Sequence, residues 1–160
     1  MGEEPQQQDE TPKERANREL IELLNELRIV LPGVTVLFAF LLAVPFANGW
    51  KRVTPFQRDV FVVAFLSTAV SVAFLTAPSS YHRLRFRQGN KEHMVRVGNR
   101  LSIAGIAASA VALEAVVLLV MDAVVSLGAA IVSAVSLFVV VATLWYALPL
   151  RAALRDRSAR

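Results

Sequence analysis

The chain has no cysteine, only two histidines and little charge for its length. Without cysteine there is no disulfide framework and no thiolate metal site. Two histidines, His82 and His93, eleven residues apart with only Glu92 nearby, make a poor ligand set, so no metal is expected. Their unclustered placement suits a surface or interfacial role. No P-loop, dinucleotide fingerprint or Ser/His/Asp constellation is present, so no cofactor and no enzymatic chemistry are expected. Charged residues make up 19% of the 160, where a soluble domain usually carries about 25%.

The distribution of that charge says more than its amount. Ile29 to Ala47, Val60 to Tyr81 and Ala123 to Leu150 contain no charged residue, and Leu101 to Met121 contains one, Glu114. About 20 apolar residues at a rise of about 1.5 Å cross a hydrocarbon core roughly 30 Å thick. A soluble bundle would need a polar outer face on each helix, and these runs have none. The fold class expected is therefore all-α: a polytopic membrane protein, a four-transmembrane-helix bundle with spans at about 29–47, 60–78, 101–121 and 126–148.

The segments outside the spans differ in kind. Residues 1–12 are rich in Glu, Gln and Pro and are expected to be disordered. The start is too polar for a cleavable signal, and Gln6 stands where a myristoylation motif needs Ser or Thr. Over 13–28, Leu20, Leu23, Leu24 and Leu27 recur at helical spacing opposite Glu19, Glu22 and Glu26. That pattern predicts an amphipathic helix whose acidic face suits a basic partner. Pro32-Gly33 should kink the chain between it and the first span. Trp50 stands where an interfacial aromatic belongs. Thr54-Pro55 suits a helix start, and Asp59 suits a helix N-terminus. Pro78 should stop the second span, whereas the third should begin within the preceding loop as one long helix from Lys91. Residues 151–160 form a basic tail.

Fourteen of the seventeen Lys and Arg lie before the first span, between the second and third, or after the fourth. The positive-inside rule puts those segments, with both termini, in the cytoplasm and the protein in an inner or plasma membrane. Arg83, Arg85, Arg87, Lys91, Arg96 and Arg100 form a basic hub suited to anionic lipid headgroups or to a partner, with the acidic face of residues 13–28 as a nearby counter-charge. In this setting basic charge speaks for lipid and not for nucleic acid.

Glu114 is the sharpest candidate. A charged group at the centre of a span costs about 2.5–3.5 kcal/mol or more, so an acid there turns to the interior or to water. It falls roughly 10 Å below the outer boundary, and counting along the neighbouring spans places Ser133, Ser67 and Thr68 in the same layer. One acid and three hydroxyls could hold a proton or a small cation. The plainer alternative is a protonated Glu114 bonded to one hydroxyl for structural reasons. On another side of the third span, Gly105, Ser109 and Ala112 allow close helix approach, either as a dimer seam or as ordinary packing within the chain. If Glu114's face, with Ala107, Ala110, Val111 and Leu118, is interior, the small stripe is left for lipid or another subunit.

Three stretches resemble a known family: Pro32-Gly33-Val34 with Leu37 to Leu42 and Val44-Pro45-Phe46; Phe56-Gln57-Arg58-Asp59-Val60; and Ala77-Pro78-Ser79-Ser80-Tyr81-His82-Arg83 running on to Arg100-Leu101. Together they are similar to a bacterial family of small four-helix membrane proteins of unknown function, some of whose members are labelled sodium:proton antiporters. The resemblance implies the topology and assigns no functional residue. The expected function is non-enzymatic, through self-association as a homo-oligomer or through partner binding. The alternative is a proton or monovalent cation transporter using Glu114.

Overall fold

The structure, a computed structural model, describes residues 11–85 and 91–158; Arg87 and the expected disordered tail lie almost wholly outside them. The described residues are nearly all helical, with no strand among them. Helix α1 runs Pro12–Ala43, α2 Pro55–Arg85, α3 Lys91–Val124, α4 Leu127–Val141 and α5 Leu148–Ser158. A π-helical segment, Ala142–Ala147, joins α4 to α5, so the basic tail continues the fourth helix. Four helices are long and apolar enough to cross a membrane: Arg18–Phe46, Pro55–Ser80, His93–Val124 and Leu127–Arg151. Their outer surfaces present Phe40, Phe46, Val132, Val135 and Phe138, as a lipid solvent requires and water forbids.

The expected stop at Pro78 is absent. α1 runs through Pro32-Gly33, uniting the amphipathic segment with the first span, and α2 runs through Pro78 to Arg85. In hydrocarbon a broken helix exposes several backbone groups, whereas a proline removes one hydrogen bond, so continuity is the better outcome. Pro78 is also buried, close to Gly98 of α3. Thr11 starts α1 with a capping box: its hydroxyl accepts from the Glu14 N–H, and the Glu14 carboxylate accepts from the Thr11 N–H. Leu20, Leu23 and Leu27 then bury the apolar stripe, Leu23 against Gly98 and Pro78. The first half of α1 thus docks on its own chain. Among the described residues its acids pair along the helix, Arg15 with Glu19 at 3.3 Å and Arg18 with Glu22 at 3.4 Å; the side chains of Arg85 and Arg87, expected among their counter-charges, lie outside the described residues.

The layout is a packed trio, α1, α2 and α3, with α4 against α3 alone. One apolar cluster joins Leu23, Leu27, Val34 and Leu75. The other joins Leu41, Phe61, Ala64 and Ala115, and Trp50 packs against it. Trp50 meets Phe61 edge-on at 4.8 Å, and Phe38 stacks on Phe65 at 5.3 Å. The expected interfacial tryptophan therefore also anchors the loop that follows α1.

Candidate functional site

The α2–α3 seam is the tightest contact of the fold. A Cβ added at Gly105 would stand 2.8 Å from Leu75 Cγ and 3.3 Å from its backbone N, so only glycine permits this approach. Beside it the Ser71 hydroxyl donates to the Gly105 carbonyl at 2.7 Å. Ser102, Ser109 and Ala112 are buried with Gly105. The small-residue stripe is thus interior packing, and the exclusion between the two faces of α3 resolves against Glu114's face as the seam with α2.

The hydroxyls of this region are consumed locally. Thr68 donates to Ala64 O at 2.7 Å, Ser102 to Gly98 O at 2.9 Å and Ser109 to Ile106 O at 2.7 Å. A buried hydroxyl in hydrocarbon needs an acceptor, and the carbonyl one turn back is always within reach.

A second cross-helix bond closes the far end. Gln57 Nε2 donates to Asp122 Oδ2 at 2.9 Å, while Gln57 Oε1 accepts from the Thr54 N–H and the Thr54 hydroxyl accepts from the Gln57 N–H. One side chain thus caps α2 and ties it to the end of α3. The sequence signal was the Thr54-x-x-Gln57 capping box, which pointed to the cap and not to the tie. Asp59, expected to stabilise the start of α2, lies beyond its first turn and is exposed.

These two bonds set the register. Counting between them brings Glu114 level with Ala64, and Thr68 level with Ser109, so Thr68 and Ser67 lie about one turn, roughly 6 Å, nearer the basic end. On the other side, α3 reaches Val124 and Ser126 caps α4 by accepting from the Ala129 N–H. Equal rises from that turn set Glu114 level with Ser136 or Leu137, leaving Ser133 about one turn nearer the outer turn. No hydrogen bond joins Glu114 to Ser133, Ser67 or Thr68. Glu114 follows Gly105 by two and a half turns and so points away from α2. Its Oε1 is buried with no hydrogen-bond partner, while the residue as a whole is only half-buried.

Sequence comparison places residues 9–149, nearly the whole chain, within one family model. The chain belongs to DUF6328, a family of unknown function. No curated protein and no solved structure matches it. In this DUF6328 protein the family match takes in both the Gln57–Asp122 tie and the Ser71–Gly105 bond. It also takes in the basic end, where Arg83, Arg96 and Arg100 are exposed. The side chains of Arg85, Arg87 and Lys91 lie outside the described residues, as does that of His82; His93 is exposed. Arg151 and Arg155 of the fourth helix and its extension are exposed as well.

Proposed function

We propose that this DUF6328 protein is a non-enzymatic integral membrane protein that acts by associating with a second copy or a partner within the bilayer. The observation that carries this reading is the isolation of Glu114. The buried Oε1 of this acid lacks a partner among the described residues, and the Thr68 hydroxyl expected beside it is bonded within its own helix to Ala64 O. The attachment of α4 to α3 alone leaves α3 uncovered on that side except by α4.

The setting that goes with this reading is the plasma membrane of a bacterium, with both termini and the basic end in the cytoplasm. The excess of Lys and Arg there supports the orientation, and the exposed Arg83, Arg96 and Arg100 suit anionic headgroups. Bacterial origin rests on the resemblance alone.

A second reading, proton or monovalent cation transport, is favoured by one observation: the buried Oε1 of Glu114 lacks a partner. Against it, no hydroxyl among the described residues hydrogen-bonds the carboxyl. Reconstitution separates the two. Labelled protein in liposomes should move from monomer toward dimer as the protein-to-lipid ratio rises, and a pH-sensitive dye should report no flux under Na⁺, K⁺ or Li⁺ gradients. Cation-dependent proton flux that disappears in Glu114→Gln would transfer the assignment to transport. A monomer at every ratio, with a second protein absent, would remove self-association.

A further inference from the structure

The fourth helix leaves the bundle part-way along its length. Ala130 and Val141 are the buried residues of α4, and every residue from Thr143 to Tyr146 is exposed. The departure coincides with the π-helical segment Ala142–Ala147, an irregularity that recurs at functional sites. Among the described residues neither this segment nor α5 contacts α1, α2 or α3. On α3 a strip is left open at the same end. Ile103 is 53% exposed, and Arg100 and Arg96 precede it on one face at spacings of three and four residues. Equal rises from the turn between α3 and α4 bring Ile103 level with Leu148, Arg100 with Arg151 and Arg96 with Arg155, to within about one residue. A cleft therefore opens between α3 and the end of the fourth helix, apolar in its deeper part and basic at its mouth. The four arginines are exposed, and none pairs with an acid among the described residues. Residues 151–160 hold four arginines against Asp156 alone. Like charges at one level on two helices repel, and an anion between them removes the repulsion.

We infer that this cleft binds an anionic phospholipid of the cytoplasmic leaflet, with its phosphate among Arg96, Arg100, Arg151 and Arg155 and an acyl chain against Ile103 and Leu148. This rests on the headgroup contact proposed above and gives it a defined place, between α3 and α5. The sequence of chemistry along the cleft is that of the lipid itself, apolar within the span and charged at its boundary. Guanidinium groups bind phosphate through paired charge-assisted hydrogen bonds. Basic clefts between membrane helices on the cytoplasmic side hold anionic headgroups in this way. Trp145 and Tyr146, half-open just below the arginines, stand where aromatic side chains meet the headgroup boundary. A free phosphate would leave the apolar part of the cleft unfilled.

The test uses the full chain with Trp50→Phe, which leaves Trp145 as its one tryptophan, in phosphatidylcholine vesicles carrying a small fraction of lipid brominated near the headgroup end of its chains. Bromine quenches tryptophan on contact. Brominated phosphatidylglycerol should quench Trp145 with an apparent affinity about fivefold above that of brominated phosphatidylcholine, the order that one arginine at an anionic surface confers. Arg100→Gln combined with Arg151→Gln should bring the two lipids to parity; both positions are exposed, so packing is spared. Equal quenching by the two lipids before the arginines are changed would overturn the site. An equal loss of preference from Arg83→Gln, at the end of α2, would also overturn it: the attraction would then be diffuse, and the wider headgroup contact would stand. Suppression of the preference by inorganic phosphate at matched ionic strength would overturn a lipid as the occupant.

Discussion

Gly105→Leu should destabilise the protein by about 3 kcal/mol, enough to separate α2 from α3 under mild denaturation. Even a Cβ at this position stands 2.8 Å from Leu75 Cγ, and its closeness to the Leu75 backbone N prevents relief by a rotamer change. Opening the gap also stretches the bond from Ser71 to the Gly105 carbonyl, and Ser71 is fully buried. Its hydroxyl would then lose its acceptor in a medium that offers no other. Gly33 provides the contrast. Nothing stands within 4 Å of a Cβ added there, and the site is helical. Gly33→Ala should therefore stabilise by up to about 1 kcal/mol through helix propensity alone. Unfolding in mixed micelles, followed by circular dichroism, reads both. Equal tolerance of the two substitutions would mean that α2 and α3 do not approach as closely as the structure places them.

The second large effect concerns orientation. Reporter fusions before Met1 and after Arg160 should both be active only in their cytoplasmic form, and a fusion in the 49–54 loop only in its external form. Fourteen of the seventeen Lys and Arg lie on the side assigned to the cytoplasm, while Lys51, Arg52 and Arg58 are all that oppose them. An even number of spans puts the two termini on one side of the membrane, and the charge count alone says which side. A terminus reported outside would contradict both the orientation and the proposed use of Arg83, Arg96 and Arg100 as headgroup contacts.

The architecture was legible in the sequence because hydrocarbon imposes a coarse rule that charge-free runs display directly. The spans, the long third helix from Lys91 and the tight turn before Ser126 all follow from it. Pro78 misled because rules for proline in water weigh a broken helix lightly, and a membrane does not. The face of α3 that meets α2 was not legible. Gly105, Ser109 and Ala112 signal close contact, and Glu114 signals an interior position, yet the two lie on opposite sides of one helix. Sequence alone cannot rank them. No hydrogen bond joins Glu114 to the hydroxyls counted to its layer. α2 enters from Thr54-Pro55 with Gln57 bound to Asp122, and α3 runs to Val124 before the chain reverses. An offset of a few residues at a helix end displaces a hydroxyl by roughly 6 Å, beyond hydrogen-bond reach. Thr54-x-x-Gln57 fits a capping pattern, but the second bond of Gln57 depends on a residue 65 positions away.

The account turns on which face of α3 is spent inside the chain and which is left open. The absence of cysteine makes this directly measurable, because any labelled thiol must be an introduced one. Val111 is 49% exposed beside Glu114, and Ala112, the next residue, is fully buried in the trio. In bilayers, with a nitroxide attached to the introduced thiol, oxygen dissolved in the hydrocarbon should relax the label at Val111→Cys strongly and the label at Ala112→Cys weakly. Equal relaxation at the two positions, or the reverse order, would contradict the assignment of the two faces.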